Sequence, residues 1–338
     1  MDSLTQFVLG SAVTAAVIGP VVGPRRAVLI GGVLGTLPDL DVFIRYDDPI
    51  DSYIEHRGPS HAFLVHTLVA PVLGELLIRL DRRLGDIRLR TWLAVWLTLV
   101  THAIIDAMTT YGTRLFWPFF DEPVSVSSIF IIDPLYTLPL LVAVMLALFR
   151  GIWSAFFRRI FTTALVVSSL YMGWSVVAQQ VMARDAAVVF AAAGEDIAVS
   201  ETQPLPFNTL VWRTIAVTTD GEVLTLAGSL LDPEPAGVIQ RFTQGGTLRA
   251  MLPDSAAIGK VDHFTSGLYA LREQDGVVLL SDLRMGLHPD YVFTFALGRR
   301  NGDGIMPEVI TRIPSDRRLK DAAWIWQRLT DPTLAPPQ

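Results

Sequence analysis

Seven residues in the first 133 have the types and spacing to hold a divalent metal. Asp39 and Asp41 stand two apart in LPDLD, so in an extended segment both carboxylates project to the same side. His56 and His61 close the same polar interval as H-R-G-P-S-H, where an apolar helix is expected to begin. His102 and Asp106 are four apart in THAIIDAMTT and share one helical face. Asp133 directly precedes Pro134. Oxygen and nitrogen donors gathered this way are what a divalent cation needs. The chain has no cysteine, which removes thiolate nucleophiles, disulfides and Cys-based zinc sites and leaves His, Asp and Glu as ligands.

The elements that must position these residues belong to a membrane protein. The 338 residues are 51% hydrophobic and 18% charged, with a mean hydropathy of +0.43; an ordinary soluble domain carries about 25% charged residues. A net charge of −6 gives no basic face for nucleic acid, and none is expected as a partner. The start, MDSLTQFVLG, lacks the basic n-region of a secretory signal, so no cleavage is expected.

Leu4 to Val22 is a continuous apolar run long enough to cross most of a ~30 Å hydrocarbon core. Ala27 to Leu37 would be only about 16 Å long as a helix and reads as a half-helix ended by Pro38. A third helix is expected from Gly58-Pro59 through His61 and His66 to about Leu80. A fourth runs from Trp92 to about Thr110, a fifth from Ile129 to Phe149, and a sixth from Ile160 to Val181. Arg25, Arg26, the five arginines from Arg79 to Arg90, and Arg150, Arg158 and Arg159 fall on one side. The positive-inside tendency makes that side cytoplasmic and places the Asp/His cluster outward.

From residue 184 onward the composition is that of a soluble domain. Alternating strands flank Asp220-Gly221 and Asp275-Gly276, YVFTFALGRR adds another strand, and a C-terminal helix is expected near Lys320 to Leu329. The expected architecture is a multi-pass α-helical membrane domain over 1–183, with about five spanning helices plus one half-helix. An α+β, mainly antiparallel β, soluble domain follows over 184–338, on the outer side of a cell membrane.

An ionisable group inside a membrane usually faces a bundle interior and carries function, yet each candidate has a plainer reading. Asp133 before a proline is a good helix N-cap, and Asp39 or Asp41 could cap a turn after Pro38. His66 lies about 140° round a helix from His61, which favours packing over shared ligation. His56 and His61 could be interfacial histidines, and His102 with Asp106 a structural pair. His263 and His288 have no local ligand partners.

The MDSLT start, LPDLD, HRGPSHA, THAIIDAMTTYGTRLFWPF and IIDPLY, in this order, resemble the YdjM-like family of membrane-bound predicted metal-dependent hydrolases. The likeness covers about Met1 to Phe149, and the domain after it looks like one found in longer members. The resemblance implies that Asp39, Asp41, His56, His61, His102, Asp106 and Asp133 form the site, and suggests distant kinship with zinc-dependent phospholipase C and nuclease-type enzymes. The family commonly has histidine where this chain has Gln6, a poor zinc ligand.

The leading expectation is a hydrolase cleaving a phosphoester, such as a lipid head group, with one or more divalent metals. Zinc suits imidazole and carboxylate ligands, with manganese or magnesium as alternatives. Asp106 or Asp39 would accept a proton from water, and Arg57 and Arg114 would bind phosphate oxygens. Membrane lipid and a lipid-derived or phosphorylated substrate are the expected partners. Two other classes compete: a transporter or ion pathway using the same buried cluster, and a membrane anchor for a β-rich binding domain.

Overall fold

Asp2 starts the first helix: its carboxylate accepts the backbone N–H groups of Leu4 and Thr5, capping α1, Ser3–Val22. In this computed structural model residues 1–252, 254–302, 304–315 and 322–337 are described. Helix α2, Pro24–Thr36, folds back on α1, with Pro24 in its first turn. The two helices meet through glycines. A Cβ placed on Gly10 would lie 2.4 Å from the Gly31 carbonyl oxygen and 2.8 Å from the Gly35 Cα, so only glycine permits this approach. The Ser11 hydroxyl donates to the Val28 carbonyl across the same seam at 2.7 Å.

Pro38 ends α2 and begins a 3-10 turn over Pro38–Phe43 that carries Asp39 and Asp41. A second helix that no apolar periodicity announced, α3 at Pro49–Glu55, lies inside the polar interval. The chain then makes a 3-10 turn at Pro59–His61, goes extended at Ala62, and forms α4 over Phe63–Leu80. The expected continuous helix from Gly58 is thus broken, because the Phe63 N–H donates to the Leu115 carbonyl and not into a helix. His61 therefore sits ahead of the helix that contains His66, and the helical angle between them does not apply. Helix α5, Arg88–Ala107, packs on α4 and α1; the Thr14 and Thr98 hydroxyls pair at 2.8 Å where it meets α1. Helices α6, Pro134–Phe149, and α7, Ala155–Ala192, follow.

Helices α1, α4 and α7 are each long and apolar enough to cross a membrane, and α6 is a shorter apolar helix. Burial separates their roles: 72% of the apolar window of α1 is inside the protein but only 17% of that of α4. α1 is the central helix, while Leu68, Val72 and Leu76 of α4 face outward.

Two compact units divide the chain. The helical unit comprises 1–44, 56–176 and 206–208; the C-terminal unit comprises 45–55, 177–205 and 209–338. The boundary expected at 183 falls within α7, which runs on unbroken to Ala192. A change of composition marks where side chains become polar, not where a helix stops.

The C-terminal unit has two four-stranded antiparallel sheets. One is ordered β1-β2-β3-β4, from β1 (Ile197–Pro204), β2 (Val211–Thr218), β3 (Glu222–Ser229) and β4 (Ile239–Thr243). Helices α8 (Gly246–Ala250) and α9 (Ala256–Thr265) lead to β5 (Tyr269–Gln274), β6 (Val277–Asp282), and a small ribbon of β7 (Gly286–Leu287) and β8 (Asp290–Tyr291). With β9 (Thr294–Asn301) and β10 (Gly304–Ile313) the second sheet runs β10-β9-β6-β5. The Asp275-Gly276 turn joins β5 to β6 with positive φ at both residues, 52° and 74°, the tight hairpin geometry that the dipeptide announces. The expected C-terminal helix is α10, Ala322–Arg328; its expected start at Lys320 lies outside the described residues.

The glycine seam gives the first test. Gly10→Ala forces the α1 and α2 backbones apart, an overpacking cost of about 1–3 kcal/mol, and the thermal midpoint in detergent should fall by roughly 2–10 °C. Gly173→Ala in α7, where an added Cβ meets nothing within 4 Å, serves as the control and should leave the midpoint unchanged or slightly raised.

Candidate metal centre

Asp106 is the deepest of the candidate ligands, and its two oxygens have different surroundings. Oδ1 receives the Arg57 guanidinium at 3.2 Å, the Gln6 side-chain amide at 3.0 Å, and the buried α-amino group of Met1. Oδ2 is fully buried and, among the described residues, has no hydrogen-bond partner. It lies 3.3 Å from His61 Nε2 and 3.3 Å from His102 Nε2. Leaving a buried carboxylate oxygen unsatisfied costs more than the roughly 1–3 kcal/mol of a neutral group.

Around that oxygen, Asp39, His61, His102 and Asp106 each offer one donor atom, all within 4.8 Å of one another. The two imidazole Nε2 atoms are 3.1 Å apart, and Asp39 Oδ1 lies 3.4 Å from His61 and 3.5 Å from His102. Donors bound at about 2.0–2.2 Å round a tetrahedral centre stand roughly 3.3–3.6 Å from each other. The four imidazole–carboxylate edges, 3.3–3.5 Å, fall in that range and the imidazole–imidazole edge, 3.1 Å, is slightly shorter; the donor set of two imidazoles and two carboxylates suits a divalent ion.

Each imidazole is oriented from behind. His102 Nδ1 donates to the Gly35 carbonyl at 2.6 Å, which turns Nε2 inward. Gly35 closes α2, so the glycine seam that brings α2 against α1 also delivers this carbonyl. His61 Nδ1 lies 2.9 Å from the Ser60 hydroxyl and 3.5 Å from Asp41 Oδ2. Burial works against a charge on His61, yet the carboxylates of Asp106, Asp39 and Asp41 outweigh it and push its imidazole up to about 10. The local field calls for positive charge.

Asp41 does other work. Its Oδ1 accepts from His56 Nδ1 at 2.7 Å, and its Oδ2 accepts from the Ser60 hydroxyl at 2.6 Å and the Arg57 N–H at 3.0 Å. Despite partial burial, its contacts with His56, His61 and Ser60 hold it well below the ordinary carboxylate range. Together they tie down the H-R-G-P-S-H turn, in which Arg57 adopts φ 63°. That left-handed conformation costs a non-glycine residue roughly 1–2 kcal/mol. The Arg57 carbonyl is fixed by the Arg114 N–H at 3.0 Å.

The structure thus brings Asp39, His61, His102 and Asp106 together and sets Asp41 and His56 beside them as supports. Asp133 caps α6 through the N–H groups of Leu135 and Tyr136 and accepts the Tyr171 hydroxyl at 2.8 Å. Arg57 is engaged with Asp106 and with the Thr109 hydroxyl at 3.0 Å, and it lies over the Tyr111 ring. Its guanidinium therefore clamps Asp106. Arg114 is buried too, its Nε 3.5 Å from Asp121. His66 Nε2 donates to the Ser60 carbonyl at 2.8 Å, a contact that holds the turn.

Gln6 stands at the departure visible in the sequence. Its amide N–H supports Asp106 Oδ1 at 3.0 Å and reaches the His102 carbonyl at 3.3 Å, so the residue braces a candidate donor. The MDSLT start was the signal for this element; Ser60, Thr109 and the Gly35 carbonyl left none. Removing such supports typically weakens metal binding about 10–100-fold. Asp41→Asn and Gln6→Leu should therefore weaken zinc binding within that range in a chelator competition, while His61→Ala should remove it.

A family model described as YdjM inner membrane protein matches residues 1–182. The inner membrane protein YbcI of Escherichia coli (strain K12) is 34% identical over 108 residues, which are 31% of this chain and 61% of that protein. The match therefore spans less than two thirds of the relative's own length. No solved structure matches the chain significantly. With the family match extending over more than half of the chain and over all four converging donors, the protein belongs to the YdjM inner membrane protein family.

Proposed function

We propose that this protein is a membrane-bound, metal-dependent hydrolase that cleaves a phosphoester, with zinc as the metal and a lipid head group as the substrate class. The observation that carries the reading is the donor cluster: Asp39, His61 and His102 each set one donor atom beside a buried carboxylate oxygen of Asp106, all four atoms within 4.8 Å of one another.

His61, His102 and Asp106 are nearly or fully buried and would hold the ion, while the Asp39 side chain is 22% exposed and faces the accessible side. Two imidazoles and one carboxylate resemble the protein ligand sets of catalytic zinc sites, which keep a position for water. A divalent metal bound there lowers the pKa of water toward 7 and polarises a phosphoryl oxygen. Asp39 is the residue placed to accept the proton, since Asp106 is held by Arg57 and Gln6. Arg57 acts by fixing Asp106 and neutralising its outer oxygen.

Helices α5 and α6 are read as further spanning segments beside α1, α4 and α7, with α2 as a half-helix, and the arginine distribution puts the C-terminal unit outside. A site just inside the outer face then meets lipid head groups, which is the ground for that substrate class.

Protein purified in mild detergent should contain close to one equivalent of zinc, and His61→Ala and Asp106→Asn should lose it. Wild-type protein that arrives metal-free and takes up no zinc, manganese or magnesium on dialysis sinks the proposal. Asp39→Asn should retain most of the metal but lose at least 100-fold in zinc-dependent turnover of a phosphodiester such as a phospholipid; full activity in that variant would remove Asp39 from its role.

A further inference from the structure

The stretch between Asp41 and His56 leaves the helical unit and returns to it. Residues 45–55 belong to the C-terminal unit, while Ile44 and His56 on either side belong to the helical one. Within the C-terminal unit α3 is a buried plug: Ile50 and Tyr53 are almost fully covered. The Tyr53 ring packs against Phe264 of α9 at 5.0 Å, Phe293 at 4.4 Å and Phe295 of β9 at 5.6 Å. Its hydroxyl donates to Asp282 Oδ2 at 2.5 Å. Asp282 is in turn held by Arg284, through Nε at 3.1 Å and a terminal nitrogen at 3.0 Å, and Arg284 also reaches the Tyr53 hydroxyl at 3.3 Å. At the surface Lys260 pairs with Asp51 and Asp48.

A buried tyrosine, aspartate and arginine that satisfy one another form a fastening with a single geometry, since a displaced member leaves a buried charge unpaired. Tyr53 is three residues before His56 and four before Arg57, a reach of at most about 10–14 Å. Those two residues carry the bonds to Asp41 and Asp106 described above. At the other end the 3-10 turn with Asp39 and Asp41 stops at Phe43, two residues before the chain enters the C-terminal unit. The Asp41–His56 hydrogen bond closes this excursion at its neck.

We infer that Tyr53 is a positioning residue for the metal centre. Fastened by Asp282 and Arg284, it fixes α3, and through the short covalent link from Tyr53 to His56 it restrains the His56–Arg57 turn, which carries the bonds to Asp41 and Asp106. The inference rests on the metal reading above for its binding readout, but not for its mechanical one.

The test uses the full chain in detergent. A Gly-Ser-Gly-Ser insertion after Glu55 relaxes the tether while leaving every side chain in place; Tyr53→Ala removes the fastening, and Tyr53→Phe removes only its hydroxyl. Zinc affinity is measured by chelator competition, hydrogen exchange is followed at the Arg57 amide, which is bonded to Asp41, and circular dichroism reports whether both units stay folded. The insertion and Tyr53→Ala should each lower zinc affinity about tenfold and speed Arg57 exchange by a similar factor, with Tyr53→Phe between them and wild type. Unchanged affinity and exchange in the folded insertion variant overturn the inference. If wild-type protein binds no metal, the hydrolase reading fails, and Arg57 exchange alone still decides whether the tether acts.

Discussion

Two imidazoles lie 3.1 Å from each other and 3.3–3.5 Å from each of two carboxylates in a site that is closed on most sides. Burial in low dielectric makes such an arrangement unfavourable unless charge is compensated. One part of the compensation is visible: Arg57 and the Met1 amine stand on the outer oxygen of Asp106. The inner oxygen has no donor, although two imidazole nitrogens are near it. The helical unit is built to maintain that inner geometry. The glycine seam lets α2 approach α1 closely enough for Gly35 to orient His102, and α1 carries Gln6 to Asp106.

Burial sorts the acidic residues into roles that their chemistry alone does not distinguish. Asp106 is fully enclosed and clamped, Asp39 is partly open, and Asp41 faces away from the donors into a web of N–H and O–H groups. A carboxylate that accepts several hydrogen bonds is a better brace than a ligand, because its lone pairs are already committed. The same reasoning separates the arginines. Arg57 was expected to bind an anion; its guanidinium is buried beside Asp106 and over Tyr111.

The C-terminal unit is not one continuous stretch of sequence, since it includes residues 45–55, between Asp41 and His56. Its two sheets enclose a core of Ile215, Val217, Val223, Leu268, Leu283 and Tyr291, and α3 is anchored to this unit by aromatic contacts and a buried ion pair. Truncating such a unit would also remove the aromatic and ion-pair partners of α3.

Much of this was legible in the residues. Apolar runs of sufficient length announce α1, α4 and α7, and Asp-Gly pairs between alternating stretches announce the antiparallel hairpins, because hydrophobic period and turn chemistry are local properties. The four converging donors were all among the candidates for the same reason: their side-chain types are unusual in an apolar setting. Local reading extended the third helix through His61, since nothing nearby shows that a distant carbonyl at Leu115 takes the Phe63 amide. It could not find α3, whose apolar face is short and whose partners lie more than 200 residues away. The sequence by itself determined which residues are able to bind a metal and which segments are helical or extended. Only the tertiary structure decided which carboxylates face the imidazoles and which brace them, because those outcomes depend on burial and on hydrogen-bond partners brought from elsewhere in the chain.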